Sequence, residues 1–433
     1  MGSLFTITAV FGTLLLVYFS LVKPSEFIYY LFLIKPFIDL TVGIEFFGIS
    51  TLEFLAVYLL LYCSFYLLFR KNVSNLFNFK IYLVFIALNI FSLLYRVFIK
   101  PPLAIASVDI VIKIVEAFLL YLLASFYSAD FKNRFKVYKI IWFTLLILNL
   151  FFIMQTVLGQ SRFIYGAEYG YHRYTGVYMD TGTPAYQAVF SLFFSSLVLK
   201  CYKENKTRIS LMLKYVYFLT WVSVLITLGI TLTMSAMLML IIFILLIYSR
   251  RRIFSLLIIS LALSSAIFVL FRNSEVLQSR FQKEIRYIED PNDKTLGSVG
   301  QGRVSRWERI WYYYESKFTI YEKLFGNSET YGAHNNYLAV LTSVGLIGLI
   351  TFFLIWIRFM SRLLFLYKRL KLAEFYYAFT LLVIFMVYAL TGHPFYYTTL
   401  LWYLMIMLSL VNLTKLSMVN CRKTSSPDTK ISR

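Results

Sequence analysis

The stretch AHNNYLAVLTSVGLIGLITFFLIWI, residues 333–357, opens on a histidine and two asparagines and then carries no charged residue from Tyr337 to Ile357. A helix rises 1.5 Å per residue, so about 20 apolar residues cross the ~30 Å hydrocarbon core of a bilayer. The stretch reads as a membrane-spanning helix with a polar doorstep. Further apolar runs of spanning length occur near 4–22, 27–47, 51–69, 80–99, 105–127, 136–158, 184–200, 210–230, 233–248, 253–271, 374–391 and 395–413. Lys35, Pro36 and Asp39 interrupt the second. The sequence predicts an all-α polytopic membrane helix bundle of about 12–13 transmembrane helices, a single transmembrane domain over 1–413.

Composition agrees. Of 433 residues, 60% are hydrophobic and 15% charged, and the mean hydropathy is +0.73, more apolar surface than a soluble core hides. The net charge of +21 does not point to nucleic acid. The Lys and Arg residues sit in short clusters between apolar runs, at 70–80, 130–139, 200–208, 249–252, 362–371 and the basic tail 414–433. Counted through the spans, all fall on one side, which the positive-inside rule makes cytoplasmic. The partner this charge pattern implies is the lipid bilayer. The connections 159–183 and 272–333 then face outward, and the second is nearly balanced, with ten Lys/Arg against nine Asp/Glu. Thirteen spans put the N-terminus outside; a re-entrant second segment gives twelve and puts it inside. The first apolar run lacks a basic start and a small-residue cleavage site, so no cleavable signal peptide is expected. None of the three cysteines, Cys63, Cys201 and Cys421, falls in an outer loop, so no disulfide is expected, and no metal-ligand spacing occurs.

The long outer loop carries a helical pattern. Val304, Trp307, Trp311, Tyr314 and Phe318 recur at 3-4-3-4 spacing, giving one apolar stripe on an amphipathic helix at the membrane surface or on the bundle. At about 100° per residue, Arg303 falls about 60° from the stripe centre, Arg306 about 120° away, and Arg309 opposite, in water. Arg303 is thus best placed to reach a site between loop and membrane, the alternative being a snorkelling interfacial arginine. His334 stands at the outer end of its span, with Asn335 and Asn336 suited to capping and Tyr337 to an interfacial belt. On a continuous helix Gly345 and Gly348 fall within about 40° of the His334 direction, so the expected arrangement is a histidine above a tight, small-residue helix crossing. The alternative is an anchor histidine over an ordinary packing face. The loop GYHRYTGVYMDTGTPAYQ, residues 170–187, offers Tyr174, Asp180 and Arg173 as groups for stacking on and hydrogen bonding to sugars, or as a polar turn. His393 in TGHPFYY reads as an ordinary turn residue. Lys35/Asp39, and Asp109/Lys113 with Glu116, fall at helical spacing and read as internal ion pairs.

These motifs resemble a known family, the bacterial O-antigen polymerases and O-antigen ligases. The ligase signature, His, then Asn/Ser/Gln, nine residues, Gly, two residues, then a small residue or Tyr, is matched by His334, Asn335, Gly345 and Gly348. GRVSRW gives the Arg ahead of a Trp-led helix, as Arg303 and Trp307. LFGNSETYGAHNNYL is similar to the family's run into the histidine, and RYTG, residues 173–176, to the Arg-x-Thr-Gly of its earlier outer loop. Many members carry Ser-Arg after a Thr near the eighth span; TLTMSAM, residues 231–237, has no Arg there.

The resemblance implies an inverting glycosyltransferase that uses an undecaprenyl-pyrophosphate-linked glycan on the outer, periplasmic face of a bacterial cytoplasmic (inner) membrane. His334 would accept the proton of a sugar hydroxyl, since a neutral imidazole has a suitable pKa. Arg303 and Arg173 would hold the pyrophosphate, because a guanidinium matches phosphate oxygens bidentately. Tyr174, Asp180, Arg306, Asn335, Asn336 and Tyr337 would line the substrate, with Gly345, Gly348 and Trp307 structural. No cofactor or metal is expected, and a chain-length regulator is a candidate partner. The leading expectation is a polymerase of O-antigen or capsular repeat units. The alternatives are an O-antigen ligase delivering glycan to lipid A-core and a lipid-linked oligosaccharide flippase.

Overall fold

The computed structural model describes residues 2–41, 45–46, 49–69, 73–99, 105–127, 130–165, 173–176, 178, 180–248, 303–396 and 398–413. The predicted span 253–271, the 272–302 part of the long loop, His172, and the tail 414–433 with Cys421 lie outside the described residues. The rest is an all-α membrane helix bundle. Its helices are α1 (Gly2–Val22), α2 (Phe27–Ile38), α3 (Thr51–Leu68), α4 (Phe79–Ile99), α5 (Ile105–Tyr127), α6 (Phe131–Val157), α7 (Gly182–Glu204), α8 (Leu211–Thr231), α9 (Met234–Tyr248), α10 (Arg303–Ser316), α11 (Ile320–Phe325), α12 (Asn336–Leu370), α13 (Ala373–Tyr388) and α14 (Thr398–Leu408). Two antiparallel pairs of two residues each, at 45–50 and 164–174, close turns between them. Among the described residues six helices are long and apolar enough to cross a membrane, and six shorter apolar helices accompany them.

Sequence explains where these helices start and stop. Asp130 caps α6 through Lys132 N, and Ser210 caps α8 through Leu213 N, each satisfying a backbone donor that the first turn leaves unpaired. Thr319 and Glu322 form a reciprocal capping box on α11. α2 is only 12 residues long, about 18 Å at 1.5 Å per residue. Pro36 lies in its last turn, and a 3-10 turn follows at Asp39–Thr41. α1 runs antiparallel to α2: Phe19 stacks on Tyr30, and Gly12 faces Ile34 and Ile38.

The helix ends segregate into two faces. At one, Ala373 N donates to Glu204 Oε2 (3.1 Å) and Arg358 Nε to Asn78 Oδ1 (2.8 Å). At the other, Asn336 N donates to Ala389 O (2.8 Å) and Thr233 Oγ1 to Thr181 O (3.0 Å). Connectivity assigns the clusters 70–80, 130–139, 200–208 and 362–371 to the first face, hereafter the basic end, and the His334 loop to the second. α7 is the central helix: 83% of its apolar window is buried, against 22% for α4 and 28% for α8. Polar side chains join helices where apolar packing alone gives little preference between neighbours: Trp142 Nε1 donates to Thr220 Oγ1 (3.0 Å) and Asn149 Nδ2 to Ser223 Oγ (2.9 Å). At the basic end Arg134 and Glu374, both nearly fully buried, form a two-pronged pair (3.0 and 3.1 Å), and Tyr138 Oη donates to the same carboxylate. Buried pairs persist only when geometry and extra hydrogen bonds offset desolvation, and both conditions are met.

One expectation fails here. Gly345 does not lie on a continuous helix beneath His334; its backbone (φ 76°, ψ −175°) breaks α12. The partner at the break is not a neighbouring membrane span but the backbone of the short helix α11 and the turn after it. Asn327 N donates to Thr342 O (3.0 Å) and Ser328 N to Ser343 O (2.9 Å). Gly326 (φ 80°, ψ 177°) crosses Ser343–Val344 just as Gly345 crosses Leu324–Phe325. A Cβ on either glycine would fall inside the backbone atoms of the other segment. Both conformations belong to the region essentially reserved for glycine. Gly348 is tight against the Val344 side chain across the same break.

Candidate functional site

The loop between α11 and α12 is built to hold His334. Ser107 and Ser92, from α5 and α4, donate to Ser328 O and Ser343 O and fix the crossing from below. Asn327, 1% exposed, donates from Nδ2 to Tyr331 Oη (2.8 Å) and accepts from Glu329 N (3.2 Å). Arg96 of α4 pairs with Glu329 (3.4 Å). Tyr331 packs between Tyr313 and Phe318; burial pushes its phenol up to about 12, partly offset by the Asn327 hydrogen bond, so it stays protonated at neutral pH. From above, α10 grips the loop: Trp307 Nε1 donates to Ala333 O (2.8 Å) and Arg306 Nη1 to Gly332 O (3.4 Å).

His334 itself is exposed and has φ 45°. Tyr331 (φ 50°) and Gly332 (φ 61°) precede it in the same left-handed region. A non-glycine residue there is strained by of order 1–3 kcal/mol, and such strain clusters at functional sites. Asn335 is the N-cap of α12, its side-chain oxygen accepting from Tyr337 N (2.9 Å) and Leu338 N (3.2 Å). Tyr337 Oη donates to Met386 O (2.6 Å), so Asn335 and Tyr337 are engaged within the fold. Asn336 differs. Its side chain is fully buried, and neither amide atom meets a hydrogen-bond partner among the described residues, an exception to the rule for buried polar groups.

The loop faces a second turn that sequence reasoning passed over. His393, after α13, stands with its ring centroid 5.8 Å from that of His334 and the planes 33° apart. Gly392 before it lies tight against the Tyr388 ring. Tyr388 in turn meets Tyr186 of α7 at 4.4 Å, and Tyr186 Oη shares a hydrogen bond with Ser235 Oγ (2.7 Å). Two imidazoles, a buried amide and a row of hydroxyls thus gather at this end of the bundle. The only sequence signal for His393 was that the chain has three histidines in all.

The remaining sequence candidates divide. The apolar face of α10 is set by Trp307, Ile310 and Tyr314 and continued past its end by Phe318, with Ile310 2% exposed and Trp311 48% exposed, so the expected Trp311 stripe is rotated. On the rotated face the register position of Arg303 falls about 25° from the centre and that of Arg309 about 145° away; Arg309 is exposed. The side chains of Arg303 and Arg173 lie outside the described residues. Arg173 pairs with Tyr165 in the 164–174 hairpin, and Thr175 and Gly176 lock that hairpin: Ser161 Oγ accepts from both backbone amides at 3.0 Å, and Gly176 (φ 58°) packs on Phe152. Tyr174 is half-buried in the hairpin. Asp180 uses both carboxylate oxygens at the start of α7, accepting from Gly182 N (2.6 Å), Thr183 N (2.7 Å) and Thr183 Oγ1 (2.8 Å); it organises the helix start. The segment TLTMSAM runs from the last residue of α8 through a two-residue turn into the start of α9, with Leu232 left-handed (φ 47°). Lys35 pairs with Asp39 inside the bundle, with Thr399 bridging both, as the spacing indicated; Lys113 meets Asp109 at 2.5 Å, but that pair is partly exposed, and buried Glu116 lies outside it. No group of three or more His, Cys, Asp or Glu suited to a metal ion occurs among the described residues.

Trp307→Phe keeps an aromatic side chain, smaller by the five-membered ring, and removes the donor to Ala333 O. The expected result is a loss of about 1 kcal/mol, the net worth of one such bond, read as a lower thermal midpoint of the purified protein. An unchanged midpoint would show that the α10 grip contributes nothing. The sequence matches no family model and no curated protein.

Proposed function

We propose that the chain is an inverting membrane glycosyltransferase of the O-antigen polymerase type, joining undecaprenyl-pyrophosphate-linked repeat units. The observation that carries this reading is His334: exposed, left-handed, held from both sides by α10 and by the glycine crossing, and facing His393 above the buried Asn336 amide. A base must stand where a sugar hydroxyl can reach it, with its own position fixed by the surrounding protein.

In the proposed reaction the acceptor sugar hydroxyl gives its proton to an imidazole nitrogen of His334 as its oxygen attacks the anomeric carbon. The bond from that carbon to the pyrophosphate oxygen breaks, and the configuration inverts. Negative charge grows on the departing pyrophosphate, so cations beside it lower the barrier. Arg306, already at the loop, and Arg303, one helical turn before Trp307, are the candidates on α10, with Arg173 from the hairpin. The site would face the outside of a bacterial cytoplasmic membrane. Single cysteines at 161 and 309 should then react with an impermeant thiol reagent in intact cells, and one at 206 should not; labelling at 206 reverses the orientation.

The deciding test supplies purified protein with lipid-pyrophosphate-linked repeat units. A ladder of longer lipid-linked chains supports the proposal, and single units remaining unchanged contradict it. Transfer of finished glycan to lipid A-core, with no ladder, makes the protein the ligase instead.

A further inference from the structure

At the basic end, far from His334, two arginines of α12 converge on one aromatic ring. The guanidinium carbons of Arg358 and Arg362 lie 5.5 and 5.9 Å from the centroid of Phe77, which precedes α4. Arg358 Nε donates to Asn78 Oδ1 (2.8 Å), and Asn78, itself buried and left-handed (φ 62°), donates from Nδ2 to Ile355 O (3.1 Å). The platform is anchored on both sides: Phe77 N donates to Asn412 Oδ1 (2.8 Å), and Tyr121 Oη donates to Phe77 O (2.7 Å). Asn412 Nδ2 reaches Tyr121 Oη and Ser125 Oγ, both at 2.7 Å.

What the pair does not do is equally informative. Among the described residues neither guanidinium meets a carboxylate, and Arg362 Nε is buried without a hydrogen-bond partner. Two like charges four residues apart on one helix repel, yet here both lie over the Phe77 ring. Arg358 stands with Asn78 and Glu204 among the helix ends of the basic end, at the membrane surface opposite the start of α12.

We propose that Arg358, Arg362, Phe77 and Asn78 form a binding site for the phosphodiester of an anionic phospholipid in the leaflet at the basic end. The guanidiniums supply paired donors that match phosphate oxygens, Phe77 stiffens both, and the apolar flank of α12 receives the acyl chains. The proposal is independent of any catalytic role for His334.

The test places delipidated protein in nanodiscs of phosphatidylcholine with one-fifth phosphatidylglycerol and counts retained phosphatidylglycerol by native mass spectrometry. At about 1 kcal/mol per arginine near a lipid surface, R358Q/R362Q should retain about thirtyfold less than the unmodified protein. K368Q/R369Q, two exposed basic residues on the same helix, should retain as much as the unmodified protein. R358K/R362K, which keeps the charge and loses the planar fork, should fall between and guards against a folding defect in the glutamine variant. Equal retention by R358Q/R362Q, or equal loss by K368Q/R369Q, overturns the site. Displacement of the lipid by 10 mM inorganic phosphate would show a simple anion site and overturn the lipid assignment.

Discussion

His334→Ala is expected to slow glycan extension by about 10²–10⁴-fold, the usual worth of a positioned general base, while the protein still inserts and melts normally. The side chain is exposed and its backbone is strained in a left-handed conformation. Removing the ring therefore takes away little packing, and a fall in rate without a fall in stability isolates a chemical role. Arg303→Ala and Arg173→Ala should each lower the rate by about 10²–10³-fold as charge on the leaving pyrophosphate loses a donor. Arg309→Ala should change it little, because Arg309 points into solvent. The measurement is the rate of chain lengthening with purified protein and lipid-linked repeat units. An active His334→Ala protein removes the base from the mechanism, and an essential Arg309 beside a dispensable Arg303 defeats the helix-face argument.

Gly345→Ala should unseat the outer loop altogether. The backbone conformation alone costs a non-glycine residue about 1–3 kcal/mol, and the new methyl would overlap the Leu324 carbonyl and Phe325 nitrogen. Neither is the end of a flexible side chain, so α11 must move, taking with it the hydrogen bonds from Asn327 and Ser328 to α12. The expected result is a loss above about 3 kcal/mol, seen as poor yield and rapid proteolysis between α10 and α12. Gly229→Ala is the control: that glycine also lies within a membrane helix, and a Cβ there meets nothing within 4 Å. Equal tolerance at both positions would show the crossing to be dispensable.

The helices were legible because length and apolarity are properties of single segments. The runs near 80–99, 105–127 and 210–230 became α4, α5 and α8 within a residue or two. The shortness of α2 was foreshadowed by Lys35, Pro36 and Asp39, which end a helix for reasons of proline geometry and charge burial. The break at Gly345 was not legible. A glycine within an apolar run reads equally as a small packing residue or as the one residue able to take φ 76°, and only the chain that crosses it decides. The same applies to α10: spacing alone selected the two tryptophans, whereas the loop beneath selected Ile310. His393 was hidden because nothing in TGHPFYY indicates that its turn is drawn against His334; that follows from the antiparallel packing of α12 and α13, with Asn336 N bonded to Ala389 O.

The reciprocal crossing of Gly326 and Gly345 also sets how this region can change over evolutionary time. Each glycine is required by the backbone of the other's segment, which leaves no room for a Cβ, so neither half is a free module. A loop transplanted from a related protein with its junction at Asn335 would set a foreign turn against the native break, and a helix transplanted from Asn336 would do the converse. Specificity should therefore be inherited, and exchanged by recombination, as an unbroken block from Ile320 through Gly348, with the ends of α4 and α5 that supply Ser92 and Ser107 as the surface it must fit.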